Sequence, residues 1–181
     1  MSESLPFSAL PRGTLLPLHE RLDRLTTLAP SLAALTAEQR DPIAVMATVA
    51  ACVWQALPQC NWVGFYRRVE PSLLRVGPYQ GGLGCLEISF ERGVCGACAR
   101  TGKPQRVEDI RTRPDHIACD GATLSELVLP VLAADGTLCA VFDLDSPHLA
   151  GFDDAEAAAL AALLTDAFAV VRWEAADWSP R

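Results

Sequence analysis

Three cysteines and the neighbours of one of them form the part of this sequence best suited to chemistry. Cys119 is followed by Asp120 and preceded by His116, and two further thiols, Cys85 and Cys95, come earlier in the chain. A thiol beside an imidazole and a carboxylate is suited to reaction, and a second thiol can resolve its oxidised form as a disulfide. The pattern predicts thiol redox chemistry on a small molecule. The alternative is that these cysteines are small buried hydrophobes.

Two carboxylates near the end of the sequence form a second candidate site. Asp143 and Asp145 alternate with Phe142 and Leu144, so in a strand both carboxylates point to one side. Carboxylates about 7 Å apart along a strand are costly unless they meet a cation, a proton or water. A ligand ammonium would satisfy one of them, and the other could keep a raised pKa and donate a proton. A solvent-exposed strand end explains the pair about equally well.

Glu126 and two aromatic residues could likewise belong either to a ligand site or to ordinary protein structure. Glu126 precedes an apolar run, where a lone acid is usually an exposed edge residue. Trp62 and Tyr66 share a strand face with Gly64 by parity, and aromatic walls beside a small residue suit a pocket for a methyl-bearing ligand. Ordinary core packing explains the aromatic pair equally well.

A C-x-x-C pattern at Cys95 and Cys98 allows two further interpretations. A thioredoxin-like motif should open a helix in a βαβ context, which the surrounding sequence does not clearly supply. A zinc site would need two more ligands, for which Cys85, Cys119 and His116 are the candidates. Zinc is the minor alternative because no second closely spaced ligand pair exists.

Helical patterns occupy both ends of the chain. Leucines recur at helical spacing from Leu22 to Leu35, with Pro30 expected to kink or split that helix. Asp41 and Pro42 form a helix start, and the apolar face of that helix is expected to contain Ile43, Met46, Ala47, Ala50, Val53, Trp54 and Leu57. Asp153 and Glu156 have the spacing of a capping box before the last helix.

The middle of the chain is rich in strand patterns. Short β-favouring runs separated by Gly, Pro and Asp turns lie at residues 61–68, 73–79, 86–90, 127–132 and 138–144. Asp135-Gly136 predicts an antiparallel hairpin between the last two. The fold class is therefore α+β, a central antiparallel sheet with N- and C-terminal helices packed on one face. We predict a loosely ordered lead-in at 1–15, one domain at 16–173 and a tail at 174–181.

The bulk composition limits the class of partner. The chain has 181 residues and a net charge of -7, from 22 acidic and 15 basic residues. An acidic chain without a basic stripe argues against nucleic acid or an anionic membrane as a partner. The N-terminus lacks the pattern of a signal peptide, and seven cysteines without scaffold-like spacing fit a reducing cytoplasm.

Six segments in a fixed order resemble the free methionine-(R)-sulfoxide reductases, a family of single GAF domains. They are NWVGFY at 61–66, GPYQG at 77–81, RGVCG at 92–96, HIACD at 116–120, SELVLP at 125–130 and DLDS at 143–146. The likeness covers roughly residues 16 to 172. Ordered motifs of this length are far more specific than any single motif.

The resemblance implies a role for each candidate residue. Cys119 matches the catalytic nucleophile, and Cys85 and Cys95 match the resolving positions. Trp62 and Tyr66 match the walls around the methyl-sulfoxide end of the substrate, while the acids that receive the substrate and its oxygen are Glu126, Asp143 and Asp145. Glu87, Ser89 and Glu91 depart from the family pattern, which leaves the choice between the two resolving thiols open.

The resemblance also implies partners, and it implies that no metal and no organic cofactor are needed. The substrate would be free methionine-(R)-sulfoxide, a thioredoxin-like dithiol would reduce the enzyme, and a homodimer stays open. The competing class is a GAF sensor or binding module without turnover. Such a module would explain the fold and the pocket but not three thiols at the motif positions.

Overall fold

The computed structural model describes residues 7–114 and 121–173. The segment that contains His116, Cys119 and Asp120 lies outside the described residues, as do 1–6 and the predicted tail at 174–181. The helices are α1 (Leu18–Thr36), α2 (Pro42–Ala56), α3 (Gly93–Thr101) and α4 (Asp154–Ala167). The strands are β1 (Trp62–Glu70), β2 (Leu73–Gly81), β3 (Glu87–Ser89), β4 (Gln105–Val107), β5 (Ser125–Leu132) and β6 (Leu138–Ser146).

The strands form one antiparallel sheet in the order β3-β2-β1-β6-β5-β4. The predicted hairpin joins β5 to β6, with Gly136 at a positive φ that suits glycine and Asp135 accepting a hydrogen bond from the Thr137 N–H. The long strands β1 and β6 pair at the centre, so residues of both lie side by side on each face of the sheet.

The terminal helices cover one face of the sheet, which confirms the predicted α+β architecture. Phe65, Leu129 and Phe142 on this face pack in one core with residues of α1, α2 and α4. The predicted helix starts are present: Asp41 caps α2, and Asp153 with Glu156 forms a capping box at α4. Buried Glu156 also accepts a hydrogen bond from Arg21, which ties α1 to α4.

The opposite face of the sheet holds a second, smaller core beneath α3. Trp62, Tyr66 and Val128 from the sheet pack with Val94 and Cys95 in this core. The candidate site residues lie on this face, away from the terminal helices. The fold therefore places chemistry on one side of the sheet and most of the apolar packing on the other.

One local expectation from the sequence was wrong, and one of the two outcomes expected for Pro30 is excluded. The apolar face of α2 is rotated, so that Ile43 and Ala47 are exposed while Val45 and Val49 are buried. Nearly every residue of α2 is apolar, and periodicity then fixes the buried face poorly. Pro30 lies within α1 without splitting it.

The sequence patterns also missed two elements, α3 and β4. The α3 sequence contains two glycines and no apolar stripe, and β4 has only three residues. Neither gives a periodic signal long enough to detect. Among the described helices, none has both the length and the apolarity needed to cross a bilayer.

Candidate functional site

The register of three strands brings the acidic and aromatic candidates together. In β1 and β6, Trp62 pairs with Asp145 and Gly64 pairs with Asp143. In β5 and β6, Glu126 pairs with Asp145. Because paired residues of antiparallel strands project to the same side, all five residues lie on the face beneath α3. The parity argued from the sequence for Asp143 and Asp145 is confirmed.

Three stacked rings form a wall beside the acids. The centroid of the Trp62 ring lies 5.5 Å from that of Tyr66 and 5.2 Å from that of Tyr79, and both pairs are stacked. Gly64 leaves room for this stack, because a Cβ at this position would lie 2.2 Å from Tyr79 Cβ and 2.7 Å from the Trp62 ring. Tyr79 is a site residue that was not singled out from the sequence, although it lies inside the GPYQG segment.

Two of the three acids are buried, contrary to the solvent-exposed alternatives for Glu126 and Asp143. Glu126 is 7% exposed and Asp143 is 5% exposed, while Asp145 is partly exposed at the margin of the site. Cys95, on α3, points into the same place, with its Sγ 3.9 Å from Glu126 Oε1. One ligand atom each from Cys95, Glu126 and Asp143 lie within 4.8 Å of one another.

Burial dominates the protonation of this cluster. It raises the pKa of Asp143 to about 7, and hydrogen bonds received from Cys95 and Glu126 oppose that rise. It raises the pKa of Glu126 well above its usual range, and the neighbouring charges of Asp143 and Asp145 act in the same direction. Both carboxyl groups therefore favour the protonated form more than an exposed acid does, and the pair can hold a proton at neutral pH.

The same environment keeps the Cys95 thiol protonated. Burial first, and then the charges of Asp143 and Glu126, raise the pKa of Cys95 well above its usual range. Because the thiolate is the nucleophilic form of cysteine, Cys95 is a weak nucleophile in this arrangement. Cys98, one turn later on α3, is also buried with a raised pKa, and burial is again the main cause.

Two buried polar atoms of the site lack a hydrogen-bond partner among the described residues. They are Trp62 Nε1, a donor, and Asp143 Oδ1, an acceptor. An unsatisfied buried donor or acceptor costs about 1–3 kcal/mol, and in native proteins such groups often mark a place for water or a ligand. A donor beside an aromatic wall and an acceptor beside a protonated acid suit a small polar molecule with an apolar end.

A short loop carries Cys85 past this wall. Gly84 lies against the ring of Trp62 and the hydroxyl of Tyr66, since a Cβ there would be 2.9 Å from the hydroxyl oxygen. Cys85 is disulfide-bonded. The other cysteines within the described residues, Cys52, Cys60, Cys95, Cys98 and Cys139, are free thiols.

The structure thus brings together six of the predicted site residues. Trp62, Tyr66, Glu126, Asp143 and Asp145 line one face of the sheet, and Cys95 joins them from α3. Cys85 lies in the adjacent loop, and Cys119 lies outside the described residues. The C-x-x-C does lie on a helix, but Cys98 is not part of the close group formed by Cys95, Glu126 and Asp143.

Comparison with known proteins agrees with this geometry. The sequence matches the family model for the GAF domain over residues 39–171. A putative GAF sensor protein from Burkholderia vietnamiensis has a similar structure, with a TM-score of 0.78 and 40% identity, covering 83% of this chain and 95% of that chain. The chain belongs to the GAF-domain family.

Relatives with a named activity narrow the assignment. The free methionine-R-sulfoxide reductase of Escherichia coli is 39% identical over 121 residues, which cover 67% of this chain and 72% of that protein. The free methionine-R-sulfoxide reductase of Neisseria meningitidis, solved in complex with its substrate, matches with a TM-score of 0.76 and 37% identity, covering 81% of this chain and 87% of that chain. Within the GAF domains, this chain belongs to the free methionine-R-sulfoxide reductase family.

Proposed function

We infer that this protein reduces free methionine-(R)-sulfoxide to methionine, and we propose that the buried acids beside the aromatic wall are its substrate site. The observation that carries this proposal is the buried cluster of Cys95, Glu126 and Asp143 on the same sheet face as the stacked rings of Trp62, Tyr66 and Tyr79. Family membership supports the reaction, and the site geometry supports the roles of the residues.

The pocket chemistry matches both ends of a free amino acid substrate. The Trp62 and Tyr66 rings offer an apolar surface to the methyl group beside the sulfoxide. Glu126 supplies a proton to the sulfoxide oxygen, and Asp145, which reaches the margin of the site, receives the α-ammonium. A peptide-linked methionine lacks that ammonium and so cannot make this charged contact with Asp145. The site therefore favours the free amino acid.

The thiol steps then follow. The Cys119 thiolate attacks the sulfoxide sulfur while the oxygen takes a proton from the acid, and the oxygen passes to Cys119. Methionine leaves, and Cys119 is a sulfenic acid. A second thiol attacks that sulfur, water leaves, and a disulfide forms. An external dithiol reduces the disulfide and is itself oxidised to a disulfide.

We propose Cys85 as the main resolving thiol and Cys95 as a weaker substitute. Cys85 is disulfide-bonded, and no other described cysteine is its partner, since those five are free. Cys119 is the partner that the mechanism requires. Cys95 is buried among acids that raise its pKa, which disfavours the thiolate needed for attack on a sulfenic acid.

The external dithiol is proposed to be a thioredoxin-like protein, and a reducing compartment such as the cytoplasm would supply it. Purified protein should turn over the R epimer of free methionine sulfoxide with such a reductant and leave the S epimer. If the protein reduces neither epimer, the proposed activity is contradicted. Light scattering of the same sample tests the homodimer that the sequence left open.

The alternative function is ligand sensing without turnover. It would explain the fold and the pocket, but not the three thiols at the motif positions. Thiol counting separates the two functions: on addition of methionine sulfoxide to reduced protein, an enzyme loses two thiols per chain and a sensor loses none.

A further inference from the structure

Three ligand atoms from three different elements converge in the interior of the site. Cys95 comes from α3, Glu126 from β5 and Asp143 from β6, and each is more than nine-tenths buried. One ligand atom of each residue lies within 4.8 Å of the other two, and Cys95 Sγ is 3.9 Å from Glu126 Oε1. Because rigid elements hold all three, the arrangement does not depend on a loop.

The spacing suits a small tetrahedral ion. Zinc binds a thiolate at about 2.3 Å and a carboxylate oxygen at about 2.0–2.2 Å, which places neighbouring ligand atoms roughly 3.5 Å apart. The Cys95–Glu126 pair, at 3.9 Å, would need to close by only a few tenths of an ångström, and every pair in the cluster starts within 4.8 Å. Thiolate and carboxylate together favour zinc over magnesium or calcium, which prefer oxygen ligands throughout.

A second observation points to an occupant. Asp143 Oδ1 is buried and makes no hydrogen bond to any described residue, and Trp62 Nε1, on the same face of the sheet, is also unpaired within that part of the chain. The cluster therefore has a spare acceptor that can coordinate a cation. The unpaired indole N–H can donate a hydrogen bond to a water or an anion in the pocket.

We propose that Cys95, Glu126 and Asp143 form a reversible zinc site within the substrate pocket, so that Zn²⁺ and the amino acid exclude each other. On binding, the zinc–sulfur bond replaces the Cys95 S–H bond, and that proton, with any held by the two carboxyl groups, goes to solvent. The ion offsets two of the three negative charges that the ligands then carry. Zinc binding does not rest on the proposed reductase activity, although the exclusion of the amino acid rests on the proposed pocket.

Calorimetric titration of Zn²⁺ into tag-free, full-length protein with its Cys85 disulfide intact tests the site. We expect one zinc per chain. Cys95→Ala and Glu126→Gln should each weaken binding at least about tenfold, the effect that even outer-shell changes have on a zinc site. Cys98→Ala is the matched control, because it removes a buried thiol from the same helix but outside the cluster, and it should bind zinc as wild type does.

A cobalt spectrum identifies the sulfur ligand independently of affinity. Co²⁺ bound to wild type and to Cys98→Ala should show a thiolate charge-transfer band, which Cys95→Ala should lack. Equal zinc affinity in wild type and Cys95→Ala, or the absence of zinc binding, would overturn the site. If circular dichroism shows that Cys95→Ala is unfolded, Glu126→Gln decides by the same affinity criterion.

Free methionine, which the enzyme cannot reduce, tests the exclusion. Its presence should weaken the apparent zinc affinity in proportion to its concentration. Zinc binding that methionine leaves unchanged would overturn the exclusion. Neither titration involves turnover, so a failed zinc site is distinguishable from a failed reductase assignment.

Discussion

The carboxyl groups of Glu126 and Asp143 lie close together in the interior of the protein, with one oxygen of each within 4.8 Å of the other. The two residues come from neighbouring strands, and Cys95 donates to the same pair from the helix above. This arrangement keeps a carboxylic acid protonated at neutral pH, which the departure of a sulfoxide oxygen requires.

Replacing the acids separates binding from proton transfer. Asp143→Asn and Asp145→Asn each remove a charge at nearly constant volume. We expect each substitution to lower catalytic efficiency severely. Loss of an ammonium partner should mainly raise KM, whereas loss of the acid network should mainly lower kcat, by about 10²–10⁴-fold. Steady-state kinetics with free methionine-(R)-sulfoxide measure the split. Near-normal kinetics in both variants would show that these carboxylates do not act on the substrate.

The buried acid also predicts a pH dependence of stability. Burial raises the pKa of Asp143 to about 7 in the folded protein, from 3.8 in the unfolded chain. Between these values the folded state binds more protons, so the free energy of unfolding falls as pH rises, by at most about 1.4 kcal/mol per pH unit. Denaturation of Asp143→Asn from pH 4 to 7 should show a shallower fall than wild type. Asp23→Asn, on the exposed side of α1, serves as the control and should follow wild type.

The nucleophile assignment depends on Cys119. Cys119→Ser should abolish reduction of free methionine-(R)-sulfoxide and leave the circular dichroism spectrum unchanged, because serine cannot replace the thiolate as the attacking group. The measurement is methionine released in a single turnover. Cys139→Ser is the control and should retain activity. It changes a half-exposed thiol near the start of β6. Methionine release at the wild-type level from Cys119→Ser would contradict the assignment of Cys119 as the nucleophile.

The resolving step depends on Cys85. Cys85→Ser should release one equivalent of methionine and then stall, with slow residual turnover. Adding Cys95→Ser to the same chain should remove that residual turnover. The raised pKa of Cys95 is the reason for the slow rate. Peptide mapping of the quenched reaction identifies the disulfide. A dominant Cys95–Cys98 disulfide with Cys119 still reduced would reverse the roles.

The sequence predicted the sheet and the grouping of the site better than it predicted the environment of each residue. Strand parity placed Asp143 and Asp145 on one face of their strand. It likewise placed Trp62 and Tyr66 on one face of a second strand. Parity alone does not reveal whether a face is covered, so the burial of Glu126 came only from the structure. That cover is α3, whose glycine-rich sequence has no helical stripe, and Tyr79 entered the site through the pairing of β2 with β1.

Gly64 tests whether the aromatic wall needs its present spacing. In Gly64→Ala the new Cβ would lie 2.2 Å from Tyr79 Cβ and 2.7 Å from the Trp62 ring, so the stack must move. Overpacking of this kind costs about 1–3 kcal/mol, and KM for the sulfoxide should rise because Trp62 is displaced. Gly82→Ala is the matched control, since its Cβ would meet nothing within 4 Å. Chemical denaturation and steady-state kinetics measure the two effects. Equal stability and KM in both variants would show that the wall tolerates displacement and does not set the fit of the substrate.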